Sequence, residues 1–261
     1  MISKDFINEI NTIKKNLSLI SVDFKIIHSN DCSIYWNGKI KKYIVNINRN
    51  QIDYFLIHEF GHVLLSKIVQ YPYFAKLPSE IEKVNQNIIN YFNNNPMAEL
   101  EDLPKELRDF KIIQEYSNGI LDSFVNYQTF INNMTYYNLY ENYIEEILNS
   151  TKNGFRPGRL RILLPSYINF YLEFNYHIRE RYQNKKDLDN FLHGLKNIIL
   201  NSKNYDLGHF NLLNECLDNY IEIRDTIDFK TIIDFIQTIL LNLSLWENNI
   251  VKEKLKILYP I

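Results

Sequence analysis

FLIHEFGHVLLSK, residues 55–67, sets His58, Glu59 and His62 into a run that is otherwise almost entirely apolar. In a helix, residues four apart share a face, so the two imidazoles project side by side and can converge on one ion. Glu59 is rotated by about 100° from His58, which puts it beside such an ion and not in its coordination shell. Phe55, Leu65 and Val69 continue the histidine stripe, while Leu56, Ile57, Phe60, Val63 and Leu64 cover the other faces. That pattern predicts a helix buried nearly all round. Burying a polar group without a partner costs roughly 1–3 kcal/mol, and a bound cation would offset that cost. The alternative is a structural histidine pair satisfied by ordinary hydrogen bonds. Gly61 adds a second expectation. A glycine inside a helix costs about 1 kcal/mol relative to alanine, so another backbone or a substrate is expected to approach closely there.

Upstream of this stretch, Phe6, Ile10, Ile13 and Leu17 recur at helical spacing and predict an opening helix over about Lys4–Ser18. Val22–His28 reads as a strand, and Ser33–Trp36 as a second one. Asn37-Gly38 comes next, a pair that favours a two-residue hairpin turn because both positions accept positive φ. The return strand spans Lys39 to about Ile47, with Tyr43, Val45 and Ile47 alternating with Ile44 and Asn46 as in a half-buried strand. Asn48-Arg49-Asn50 offers N-cap side chains for the next helix, which carries the motif to about Gln70 and stops before Pro72.

Downstream, helical patterns dominate. Leu192, Leu195, Ile198 and Ile199 form one apolar stripe, and Ile232, Ile233, Ile236, Ile239 and Leu240 another; both read as core. The fold class is therefore α+β and mostly helical. A core over residues 1–135, with a small N-terminal sheet and its hairpin, precedes an all-helical region over 136–261 that packs on it.

The chain of 261 residues is 46% hydrophobic, enough for a sizeable core. With 29 basic and 31 acidic residues, its formal net charge of −2 creates no chain-wide field for nucleic acid or an anionic membrane. The local basic patch, Arg156 to Arg161, reads as a solvated turn leading into a helix. The N-terminus has no apolar leader and no long uncharged apolar stretch lies beyond it, so a cytoplasmic protein is expected. Cys32 and Cys216 stand in unrelated contexts, as free thiols.

The sequence His58-Glu59-Phe60-Gly61-His62, with its flanks Phe55-Leu56-Ile57 and Val63-Leu64-Leu65, resembles the zincin superfamily of metallopeptidases. The resemblance covers about the N-terminal half of the chain. It implies a zinc ion held by His58 and His62, Glu59 as general base on water at the ion, and a peptide or protein substrate laid along an edge strand beside the motif helix. The strand from Lys39 to Ile47 is either that edge or an ordinary internal strand.

A catalytic zinc normally takes a third protein ligand. Glu82, twenty residues after His62, has a spacing like that of thermolysin-type gluzincins, and regulatory proteases of the ImmA/IrrE type also place a helical glutamate after the motif. Glu82 opens a charged helix, however, and Gln86 departs from the gluzincin Glu-x-x-x-Asp pattern. Asp122 lies among Ile120, Leu121, Phe124 and Val125, in a segment resembling the Asn-x-x-x-Asp-x-x-x-Asn helix of predicted metallopeptidases, many archaeal or linked to von Willebrand-type domains. Asp122 is the favoured ligand. Asn118 and Asn126 are expected to orient its carboxylate, and Gly119 to let this helix approach Gly61. Tyr167, His177, Arg159 and Arg161 are candidate oxyanion donors, with His177 more simply read as core. His193 and His209 have no partner at ligand spacing and are assigned no chemistry. Intact Glu59 favours an enzyme over the alternative, a silent zincin-like binding or regulatory module.

Overall fold

The computed structural model describes residues 3–29, 32–37, 39–47, 52–71, 79–151, 160–201, 207–243 and 246–259, apart from the side chains of 79, 80, 101 and 160–162. The first helix, α1 (Lys4–Asn16), is capped by Ser3, whose hydroxyl accepts from the Phe6 amide, and it buries the predicted stripe Phe6, Ile10 and Ile13. Three strands come next, β1 (Phe24–His28), β2 (Ser33–Asn37) and β3 (Lys42–Ile47), in the spatial order β1-β3-β2. β1 runs parallel to β3, and β2 antiparallel to it.

Two strand expectations need correction. β3 is the central strand, the internal one of the two readings, and β1 and β2 are the edges. Consequently Ile44 and Val45, on opposite faces of β3, are both buried, and the half-buried alternation is lost. The hairpin turn is also longer than two residues, because Asn37 pairs with Lys42. The Asn37 side chain accepts from the amides of Lys39 and Ile40, which curls the chain into a wider turn and moves the positive φ onto Lys41. Gly38 lies outside the described residues.

The motif helix is α2 (Tyr54–Ile68). Its cap is Asp53, which accepts from the Leu56 amide, and the expected capping residues 48–50 lie outside the described residues. It is followed in the chain by α3 (Ser79–Asn94), the long α4 (Lys105–Asn126), α5 (Tyr137–Thr151) and α6 (Leu160–Glu173). The C-terminal layer comprises α7 (Lys185–Leu200), α8 (Leu207–Asp218), the short α9 (Tyr220–Arg224), α10 (Phe229–Asn242) and α11 (Asn248–Leu258). α4 is the axis of the molecule, packing on α2 from one side and on α6, α10 and α11 from the others. Buried side chains from Phe6 to Tyr259 join one cluster that runs across the boundary at 135/136. Both predicted C-terminal stripes contribute to it, with Ile198 and Ile233 at its margin. Among the described residues no helix is long and apolar enough to cross a membrane.

Two local distortions shape the region around the motif. α4 passes directly into a π-helical turn over Tyr127–Ile131, and α6 into another over Phe174–Ile178. Each closes with a bond spanning five residues, Asn132 N to Tyr127 O and Arg179 N to Phe174 O. A π turn widens the helix and rotates the residues beyond it, and such turns are frequent at functional sites.

Candidate metal centre

Gly61 is where α2 meets the end of α4. A β-carbon added there would lie 2.1 Å from Thr129 Oγ1 and 2.7 Å from Val125 Cγ1, so only hydrogen fits. The glycine therefore serves helix packing, and its partner is the stretch from Val125 into the π turn. Gly119 plays a different part from the one expected. It faces α6, with the Pro165 carbonyl 3.6 Å from its would-be β-carbon, and its own carbonyl accepts from Asn169 at 2.9 Å.

This crossing aims Asp122 between the two histidines. Asp122 Oδ1 lies 3.6 Å from His58 Nε2 and 3.4 Å from His62 Nε2, and ligand atoms of all three residues lie within 4.8 Å of one another. The ligand atoms of a four-coordinate zinc with bonds of about 2.0–2.2 Å stand about 3.3–3.6 Å apart, so the spacing suits a small divalent ion. Two imidazoles and a carboxylate are also a donor set common at catalytic zinc. A cation fits here. The site is not sealed, since the side chains of His58, His62 and Asp122 retain 12%, 15% and 34% of their exposure. Phe55, one turn before His58, is half exposed as well, so α2 has an open face where the sequence pattern predicts burial nearly all round.

Without an ion the three groups form a charged cluster. Burial works against the imidazolium of His58, but the hydrogen bond and charge of Asp122, the charge of Glu59 and the hydrogen bond to Asn126 outweigh it and raise its pKa to about 9. Burial likewise opposes the charged form of Asp122, yet the two histidines hold its carboxyl well below the usual carboxylate range. His62 Nδ1 is buried and has no hydrogen-bond partner among the described residues.

Glu59 stands outside the converging set, as its angular position predicts. Its Oε2 accepts from the Ile34 amide at 3.1 Å, which ties the carboxylate to edge strand β2. Cys32, just before β2, feels the same carboxylate. Burial first, then the charges of Glu59 and Asp53, push its thiol up to about 12.

Behind His58 the chain builds a polar support. Asn126 Oδ1 lies 2.8 Å from His58 Nδ1 and also accepts from the Tyr54 hydroxyl at 3.2 Å. The expectation that Asn126 orients Asp122 is thus corrected: its amide is taken up by His58, Tyr54 and Glu173 instead. Asn118 is exposed. Asn126 Nδ2 in turn donates to Glu173 Oε1 at 3.0 Å. Glu173 was not identifiable as part of the site from its own sequence context; the only local signal is its spacing of four from His177 in an aromatic-rich run.

Glu82, the alternative ligand, is exposed on α3 and is not among the converging groups. Of the candidate oxyanion donors, Tyr167 donates to Asn214 and His177 lies in the core against Glu173 and Tyr220. Arg159 and the side chain of Arg161 lie outside the described residues. His193 is exposed beside Asn197. Among the described residues, the cluster at His58, His62 and Asp122 is the one group of histidine, cysteine and acidic side chains close enough to hold a metal ion. No family model, curated protein or solved structure matches the chain, so the reading of this centre rests on its own geometry.

Proposed function

We propose that the chain is a zinc-dependent hydrolase of the zincin kind that cleaves peptide bonds. One observation carries this reading: the two Nε2 atoms of a His-Glu-x-x-His helix and a carboxylate oxygen from a separate helix converge at zinc-ligand spacing. His58, His62 and Asp122 would hold the ion. When bound, it supplies a Lewis acid that acidifies water and polarises a carbonyl. Glu59 accepts the proton from the attacking water and returns it to the leaving nitrogen, and the Ile34 amide holds its carboxylate in place for both steps.

Edge strand β2 is the natural place for an extended substrate. In an antiparallel ladder, successive residues turn their backbone groups alternately toward and away from the partner strand. The Ile34 N–H points away from β3, to Glu59, so Trp36 presents its N–H and C=O on that same open side. A peptide backbone pairing there would lie alongside the proposed general base.

Two measurements test this function. Elemental analysis of protein never exposed to chelator should find about one zinc per chain, lost in a His58→Ala, His62→Ala double variant. Wild type should cleave a varied pool of unfolded proteins and peptides, and Glu59→Gln should keep its zinc while losing at least about 100-fold in rate. Zinc far below stoichiometry, or equal cleavage by Glu59→Gln, overturns the proposal. Full zinc with no cleavage of the pool would favour a silent binding module.

A further inference from the structure

The helical half contributes a buried carboxylate whose position the metal reading does not use. Glu173, the last residue of α6 before its π turn, is 1% exposed. It has no lysine or arginine partner among the described residues, although burying a lone charge costs several kcal/mol. Three donors meet it instead. Asn126 Nδ2 reaches Oε1, while the Tyr140 hydroxyl and His177 Nδ1 (2.8 Å) reach Oε2. His177 Nε2 in turn lies 2.8 Å from the Tyr220 hydroxyl, so both of its ring nitrogens are paired. Each polar end of the assembly is therefore occupied, and among the described residues the one outward link runs through Asn126.

That link has a direction. A carboxylate only accepts, so the side of Asn126 facing Glu173 must be its NH2 group. The amide oxygen is thereby turned toward His58, and an imidazole nitrogen beside an oxygen must carry a proton. His58 is then protonated on Nδ1, leaving Nε2, the atom aimed at Asp122, as the metal-binding nitrogen. With the amide reversed, its oxygen would face the carboxylate and its NH2 would face Nδ1, which favours the proton on Nε2 and blocks coordination. Asn126 and Glu173 are the last residues of α4 and α6, and the packing of these two helices on each other brings both ends of the link together.

We infer that Glu173 is a positioning residue for the metal centre: through Asn126 it holds His58 in the tautomer and orientation that bind the ion. This rests on the proposed metal site. It also gives the helical half a role in that site, since α6 then supplies part of the support behind a ligand on α2.

The test compares Glu173→Gln with Tyr220→Phe, which breaks a buried hydrogen bond of the same assembly without touching the link to Asn126. In Glu173→Gln three donors face a single amide oxygen, so Asn126 loses its fixed orientation. Zinc affinity, read by competition with a chromogenic chelator, should fall about 10–100-fold in Glu173→Gln and stay within about threefold of wild type in Tyr220→Phe. In zinc-loaded wild type, nitrogen-15 NMR should find the metal on His58 Nε2 and a slowly exchanging proton on Nδ1; in Glu173→Gln that proton should exchange faster. Should Glu173→Gln not accumulate folded, Asn126→Ala cuts the same link while leaving Glu173 its other two donors, and the same loss is expected. Unchanged affinity in the folded link variants, an equal loss in Tyr220→Phe, or metal on Nδ1 overturns the positioning role while the metal site stands. Wild type that takes up no zinc overturns both.

Discussion

Two acid–imidazole clusters meet at the α2–α4–α6 crossing, alike in composition and opposite in closure. Glu173 and His177 form a finished unit: the carboxylate receives three donors, the second imidazole nitrogen has Tyr220, and solvent is excluded. Asp122 with His58 and His62 is unfinished. Two Nε2 atoms point at one carboxylate oxygen, His62 Nδ1 has no partner among the described residues, and the aspartate is one-third exposed. A structural histidine looks like the first cluster, with every polar atom paired. A binding site looks like the second, with donors converging on a point that solvent can reach. The difference teaches that composition and spacing do not separate ligands from core pairs; saturation of their hydrogen bonds does.

The contrast between the clusters breaks most sharply at the aspartate. Asp122→Ala should weaken zinc binding by more than about 100-fold, the upper end for supporting residues, because it removes a proposed direct ligand. Chelator competition measures this, and a loss no larger than that of Glu173→Gln would erase the distinction between the two clusters.

Next in size is the pH response of the metal-free protein. The His58 pKa is raised from 6.5 to about 9, so its stabilisation is complete below about pH 6.5 and is lost as pH rises through 9. The Asp122 pKa is lowered, so its stabilisation is present above about pH 4 and is lost on further acidification. Chelator-treated protein should therefore be most stable between about pH 4 and 6.5. It should lose about 2 kcal/mol by pH 9, after discounting for solvent at the partly exposed Asp122. Urea unfolding across that range checks it, and a His58→Gln variant should flatten the alkaline loss. With zinc bound the trend should reverse between pH 6.5 and 9, since metal and proton compete for His58.

Gly61→Ala probes the packing that brings the clusters together. Its methyl group would collide with Thr129 Oγ1 and Val125 Cγ1, which should cost about 1–3 kcal/mol in thermal or urea unfolding. Adding Thr129→Ala should recover part of that loss; no recovery would mean that α2 and the π turn do not meet as described. The smallest effect is expected at Glu82→Ala. Its side chain is exposed on α3 and away from the convergence, so zinc affinity should stay within about twofold of wild type.

Much of this was open to reading from the chain alone. The i, i+4 spacing of His58 and His62, the displaced position of Glu59, the burial of the α1 stripe and the need for close approach at Gly61 all derive from helix geometry, which is local and periodic. The apolar flanks of Asp122 distinguished it from Glu82 on the same basis, because each acid carries its burial pattern in its nearest neighbours. Tertiary structure decided which elements meet. Sheet order made β3 central and β2 an edge, which left the Ile34 amide to Glu59. The crossing of α2, α4 and α6 gave Gly119 to α6 and Asn126 to His58 and not to Asp122, while the π turn after Asn126 holds the Thr129 that meets Gly61. No 3.6-residue pattern anticipates such turns, since one extra residue in a helical turn rotates everything beyond it by about 100°. Ligand candidates were therefore legible in sequence, whereas their supporting contacts, which depend on how separate helices and strands cross, were not.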